Sequence, residues 1–230
     1  MARIDLHNFF KHYDENNPKH VAAVEQLEVD LMDSPLIDDS SNWVRIYRTK
    51  QEAPKSAYLN VPWFPQTDNY RDANRTCNSS ACAMCLEFLK PGTLKGPKGD
   101  DAYVQKVFSI GDTTDHLVQT RALASYGIKS SFSYSLSFAD LDRELAAGRP
   151  VVIGILHRGT LSYPTGGHMV VVIGKTPNGD YVVNDPYGSL NDSYTGPVTN
   201  GKGAIYKRSE LARRWCPGGK DGWGRVFQTP

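Results

Sequence analysis

A chain of 230 residues is long enough to bury a full core in one domain, or in one domain with an extension. Its 22% charged and 40% apolar residues suit a soluble globular protein, and no window approaches the roughly 18 apolar residues of a membrane span. A net charge of +1 offers no footprint for nucleic acid or for an anionic membrane, so neither partner is expected.

The N-terminus, M-A-R-I-D-L-H-N-F-F-K, has no apolar signal core, which predicts a cytoplasmic protein with reduced cysteines. Residues 5–33 read as helix. Asn17 and Pro18 fit a cap and a first helical position, and Val21, Val24, Leu27 and Leu31 then share one face. The polar loop D-S-P-L-I-D-D-S-S leads to W-V-R-I-Y-R, which alternates as a strand does. A boundary near residue 50 separates an N-terminal helical extension, 1–50, from a main domain, 51–230. That domain opens on the proline-punctuated Y-L-N-V-P-W-F-P-Q, followed by a cysteine-bearing helix that ends at Lys90-Pro91-Gly92. A-Y-V-Q-K-V-F reads as helix, as does Asp115–Tyr126 with Gly127 behind it, and K-S-S-F-S-Y-S as a short strand. Ser137 caps a helix that ends at Gly148, and V-V-I-G-I-L is a buried strand. The hairpin H-M-V-V-V-I-G/Y-V-V-N-D-P, a helix from Ser209 to Trp215 and a last strand, G-W-G-R-V-F, complete the chain. Helices early and strands late define an α+β fold.

Three of the four cysteines lie in T-C-N-S-S-A-C-A-M-C. Cys82 and Cys85 have the C-x-x-C spacing of half a zinc site, but no second pair supplies the other ligands, so no metal is expected. At i and i+3 on an apolar helix they read as buried free thiols pointing into the core with Leu86 and Leu89. Cys77 differs. Behind Thr76, a natural N-cap, it falls in the first helical turn, where unpaired N–H groups favour thiolate over thiol. Such a sulfur needs a base.

His7, His12 and His20 lie in the extension, and His116 at a helix start reads as a cap or a solvated side chain. His157, at the end of a buried strand, is a second-choice base. His168 opens M-V-V-V-I behind Gly166-Gly167, whose missing side chains leave room for substrate backbone. Asp185 ends the returning strand 17 residues later. If Gly174 and Gly179 close a four-residue loop, positions 168 and 185 are directly opposite. If Asn178-Gly179 is a two-residue turn, Asp185 lies opposite Val172 instead. A Cys–His–Asp triad therefore requires the wider loop or a bulge. Trp63, with Phe64, Tyr70 and Tyr187, is a candidate wall of a substrate groove, although aromatic residues are more often core. The loop N-D-P-Y-G-S-L-N-D-S is rich in oxygens but lacks the spacing of a calcium site.

Val61-Pro62-Trp63-Phe64-Pro65-Gln66, T-C-N-S-S-A-C-A-M, G-G-H-M-V-V-V-I-G and V-N-D-P, in that order, resemble the papain-like cysteine peptidases of the bacteriocin-processing (double-glycine leader) family and their phage endolysin relatives. The resemblance spans residues 57 to 228. It implies a papain-like α+β fold with N-terminal helices and a central antiparallel sheet. It further implies Cys77 as nucleophile, His168 as base, Asp185 as its orienting carboxylate, and Gln66 as an oxyanion donor beside the Cys77 N–H. No cofactor is implied, and a monomer is expected. The segment D-L-H-N-F-F-K-H-Y-D-E-N-N-P is similar to stretches of phage proteins, particularly cyanophage ones. Bacteriocin processors precede transporter membrane domains and this chain shows no span. The first expectation is therefore an endolysin that cuts peptidoglycan peptides from the host cytoplasm after membrane permeabilisation. A protein-processing protease is the alternative. An acyl-transfer enzyme fits the G-G-H context and Gln66 less well, and a catalytically idle wall-binding or virion module conflicts with the presence of all four residues.

Overall fold

The computed structural model describes residues 14, 16–23, 59–96 and 98–228. The chain divides into two compact units, Met1–Pro54 and Lys55–Pro230. In the first, residues 18–23 are helical. The Asn17 side chain accepts from the Lys19 N–H at 3.0 Å, so Asn17 caps the helix and Pro18 opens it, as expected. The rest of the 5–33 helix and the W-V-R-I-Y-R strand lie outside the described residues.

The second unit is a six-stranded antiparallel sheet covered by helices on both faces. Helices α1 (Cys77–Leu89), α2 (Asp100–Ile110) and α3 (His116–Ser125) precede strand β1 (Ser130–Leu136), helix α4 (Phe138–Ala146) and β2 (Val151–Ile155). A small ribbon, β3 (Arg158–Gly159) and β4 (Pro164–Thr165), leads into β5 (His168–Lys175) and β6 (Tyr181–Asn184). β7 (Ala204–Tyr206), α5 (Arg208–Arg214) and β8 (Gly222–Phe227) follow, and the sheet order is β1-β8-β2-β5-β6-β7.

Local chemistry sets these elements. Asp115 caps α3 by accepting from the Leu117 and Val118 N–H groups, and Gly127 follows that helix at φ +83°. Ser137 and Asp140 form a reciprocal capping box on α4, which ends before Gly148 at φ +73°. The central strands β2 and β5 are apolar at nearly every position because both of their faces are covered. Met169, Val171 and Ile173 meet Cys82, Cys85 and Leu86 of α1, while Val170 and Val172 meet Leu141 of α4 and Leu211 of α5. Cys82 and Cys85 are thus core thiols, and Cys216 is also buried. The ribbon β3/β4 and strand β7 were not expected from the sequence, being only two or three residues long. Among the described residues no helix is long and apolar enough to cross a membrane.

Gly154 on β2 lies beneath the Trp223 indole of β8; a Cβ there would sit 2.1–2.4 Å from three ring atoms. Gly154→Ala is therefore expected to destabilise the unit by about 1–3 kcal/mol, as overpacking does. This would lower the melting temperature by several degrees (~2–4 °C per kcal/mol). An unchanged melting temperature contradicts this close packing.

Candidate active site

Cys77 is the first residue of α1, but its helix end is built differently from the expected cap. No side chain caps α1. The Thr76 hydroxyl turns back, accepting from Asn69 Nδ2 at 2.8 Å and donating to the Ala73 carbonyl at 3.2 Å. The first intrahelical bond is that of the Ser80 N–H to the Thr76 carbonyl. The N–H groups of the first turn are left facing the position of the sulfur and of any oxyanion formed beside it.

His168 and Asp185 meet through an irregularity. At the loop end of the hairpin Lys175 pairs with Tyr181 and Gly174 with Val182, whereas further along Val172 pairs with Val183 and Val171 with Asn184. The register slips by one residue, so Ile173 is bulged. Without the slip Asp185 would fall opposite Val171 and point to the other face. With it, Asp185 falls opposite Val170, on the face of His168 and one diagonal step away. Neither proposed turn is formed, since residues 176–180 make the connection; of the two routes to a triad, the bulge is the one taken. His168 Nε2 lies 2.7 Å from Asp185 Oδ1, both side chains being buried.

Asp185 is a point of convergence. Oδ1 also accepts from the Tyr187 N–H at 2.9 Å, and Oδ2 accepts from the hydroxyls of Tyr206 at 2.6 Å and Tyr194 at 3.1 Å. Its own N–H donates to the Gly201 carbonyl at 2.8 Å, and its carbonyl accepts from the Trp63 indole at 2.9 Å. Each hydrogen bond to a charged group is worth about 1.5–3 kcal/mol, enough together to offset burying the carboxylate. Ser193 and Tyr194 are both left-handed, at φ +55° and +60°, a conformation that costs about 1–3 kcal/mol per non-glycine residue.

With Nε2 committed to Asp185, Nδ1 is the nitrogen left to face Cys77, and each side chain shifts the other's titration. Burial pushes the Cys77 thiol up, but His168, through its hydrogen bond and charge, together with the Met169 and Asn78 N–H groups, brings it below the ordinary thiol value. Burial likewise opposes charge on His168. The Asp185 charge and hydrogen bond, with those of Cys77, override it and hold the imidazole at about 10. Both shifts favour the thiolate–imidazolium form of the pair over the neutral one. His157 does not serve as an alternative base. Burial, the His168 charge and Arg158 depress it to about 4, and its Nε2 accepts from Arg158 Nε at 3.2 Å.

The other expected residues are placed differently from one another. Gln66 is buried; its N–H donates to the Pro186 carbonyl at 2.8 Å, and its Nε2 to the Ala73 carbonyl at 2.7 Å, leaving one amide hydrogen. It thereby ties the residue after Asp185 to the turn before Cys77. Gly166 and Gly167 are exposed ahead of His168. Gly166 stands at φ +81°, where a Cβ would lie 2.9 Å from the His157 ring. Trp63 is half-buried, with its indole N–H spent on Asp185, so it props the carboxylate segment. Phe64 is core, Tyr187 stands 6.1 Å from the His168 ring, and Tyr70 is exposed. His116 stacks on Phe132 at 3.5 Å and approaches Asn78 Nδ2 at 3.3 Å. Among the described residues no three His, Cys, Asp or Glu side chains are placed to hold a metal. The sequence reading missed Tyr194 and Tyr206, isolated tyrosines in polar segments that no motif marks.

A cysteine at a helix start facing a strand histidine, on an antiparallel sheet flanked by helices, places the fold among the papain-like cysteine peptidases. The model of the Peptidase_C39 like family matches residues 58–217, and the chain belongs to that family. A C39-like peptidase from Bacillus anthracis superposes with a TM-score of 0.51 at 15% identity, over 76% of this chain and 98% of that one. A double glycine motif protease from an AMS/PCAT transporter, solved with its leader peptide, gives 0.47 at 17% identity, over 75% of this chain and 94% of that one. No curated protein matches the chain in sequence.

The charged pair predicts how the thiols react. Alkylation of Cys77 by iodoacetamide should rise with pH through a midpoint below 9, while Cys82 and Cys85, which burial pushes up, stay unreacted in the folded protein. Mass spectrometry across pH 4–10 reads this. A Cys77 midpoint at the ordinary thiol value contradicts the pairing.

Proposed function

We propose that the protein is a cysteine peptidase that hydrolyses amide bonds through Cys77, His168 and Asp185. The observation that carries this reading is a partly exposed Cys77 thiol coupled to a buried imidazole whose Nε2 is held by the Asp185 carboxylate at 2.7 Å. The Cys77 thiolate attacks the substrate carbonyl, and the oxyanion is met by first-turn N–H groups of α1 and the free amide hydrogen of Gln66. As the tetrahedral adduct collapses, the His168 imidazolium protonates the leaving amine and a thioester remains. His168, now neutral, takes a proton from water; hydroxide adds to the thioester, the carboxylic acid departs and the thiolate–imidazolium pair is restored. Asp185 holds the imidazole in orientation and faces its charge throughout.

Family membership supports a peptide or protein substrate, as in a processing protease. A peptidoglycan peptide is the second reading, supported by the likeness of the N-terminal segment to phage proteins. Wild type and Cys77→Ala, incubated in parallel with a peptide library and with peptidoglycan, separate the two when new termini are read by mass spectrometry. New termini in the library with wild type only are expected, and cleavage confined to peptidoglycan would select the second reading. Equal cleavage by both proteins removes Cys77 from the mechanism. On the cleaved substrate, Gln66→Ala should lower kcat by about 10²–10³-fold with little change in KM. An unaltered kcat takes Gln66 out of the oxyanion site.

A further inference from the structure

We propose that Tyr206 and Tyr194 are positioning residues, a pair of hydroxyl donors that clamp Asp185 and through it fix the His168 imidazole against Cys77. This rests on the reading of Cys77 and His168 as the working pair.

Three observations carry it. Both hydroxyls converge on Oδ2, the oxygen that His168 does not use, at 2.6 and 3.1 Å. A carboxylate held at one oxygen alone is free to swing about its Cβ–Cγ bond; one held at both is not. The direction of the Tyr206 hydroxyl is itself fixed, because its oxygen accepts from the Leu190 N–H at 3.0 Å and its proton is left for Asp185. Finally, the backbone at Ser193 and Tyr194 is left-handed in two successive non-glycine residues, and this strained turn delivers the Tyr194 ring to the site. Burial first, and the Asp185 charge next, raise both phenols above their ordinary value, so they stay protonated donors wherever the enzyme works.

The ionisable groups around His168 come from every neighbouring element. They are Cys77 on α1, His157 after β2, Asp185, Tyr187 and Tyr194 after β6, and Tyr206 on β7, with Arg214 of α5 near His157 and Tyr194. Only the two tyrosine hydroxyls reach Oδ2 among the described residues.

The test compares Tyr206→Phe, Tyr194→Phe and the double variant with Tyr181→Phe. Tyr181 is also buried and donates to a carboxylate, but to Asp142, away from the site. The readouts are the pH midpoint of Cys77 alkylation by iodoacetamide and the melting temperature. Loosening Asp185 withdraws its charge from His168. Tyr206→Phe should therefore move the midpoint up by about one pH unit, slowing alkylation below the midpoint about tenfold, and the double variant should move it further. Tyr181→Phe should leave the midpoint at the wild-type value even where it lowers the melting temperature. Folded Tyr206→Phe and Tyr194→Phe with wild-type midpoints overturn the clamp, as does an equal shift in Tyr181→Phe. Should Tyr206→Phe not fold, Tyr194→Phe, whose ring is only half-buried, decides alone. Alkylation needs no substrate, so a shifted midpoint in a protein that cleaves no peptide sustains the clamp while the peptidase reading fails. An ordinary wild-type midpoint overturns both.

Discussion

The hydrogen bond between His168 and Asp185 depends on the local geometry of three strands and three loops. With residues 176–180 as the connection, positions 168 and 185 share a face of the sheet only if the β5–β6 ladder slips by one residue, and the bulge at Ile173 supplies that slip. Asp185 has no exposed surface, so each of its polar atoms must find a partner within the protein. The segments that supply them are drawn inward: Trp63 from the chain before α1, Gly201 from a turn, Tyr194 from a strained loop and Tyr206 from the short strand β7. Gly201 approaches so closely that a Cβ would lie 2.2 Å from the Asp185 carbonyl oxygen, which explains a residue without a side chain there.

Opposite this assembly the start of α1 is left bare. A threonine at a helix start ordinarily caps it, and here the Thr76 hydroxyl is diverted to the Ala73 carbonyl and the Asn69 side chain. The cap is given up, and first-turn N–H groups remain available to a negative sulfur or oxygen. Charge is thus provided for at both ends of the Cys77–His168 pair, by helix N–H groups at the thiolate and by Asp185 at the imidazolium. His157 completes the balance. Held neutral beside His168, it adds no second positive charge to weaken the first.

The main elements were legible in the sequence because their signals are local. Ser137 before α4, Asp115 at the start of the α3 segment, and Gly127 and Gly148 behind two helices each announce a boundary through their own hydrogen bonds or backbone angle. Cys77, His168 and Asp185 could be ordered by chain position and resemblance, and the need for a wider loop or a bulge followed from the period of two along a strand. What stayed hidden depends on pairing across distance. Tyr206 and Tyr194 carry no motif, and their meaning appears only once β7 pairs with β6 and the loop after Asp185 folds back. Trp63, an aromatic candidate for a groove wall, has its indole N–H on a backbone carbonyl 122 residues away. The diversion of Thr76 was equally invisible, since it depends on Asn69 being brought alongside.

The central claim is that Cys77 and His168 stand as thiolate and imidazolium, with Asp185 holding the charge in place. Nitrogen-15 spectra of histidine-labelled protein test it most directly, because the two ring nitrogens report their protons separately and no substrate is needed. The account predicts that at pH 7 His168 carries protons on both nitrogens in wild type, that His157 is neutral, and that Cys77→Ser removes the His168 charge partner and shifts its titration down. A His168 already neutral at pH 7 in wild type, or one whose titration is indifferent to Cys77, would contradict the account.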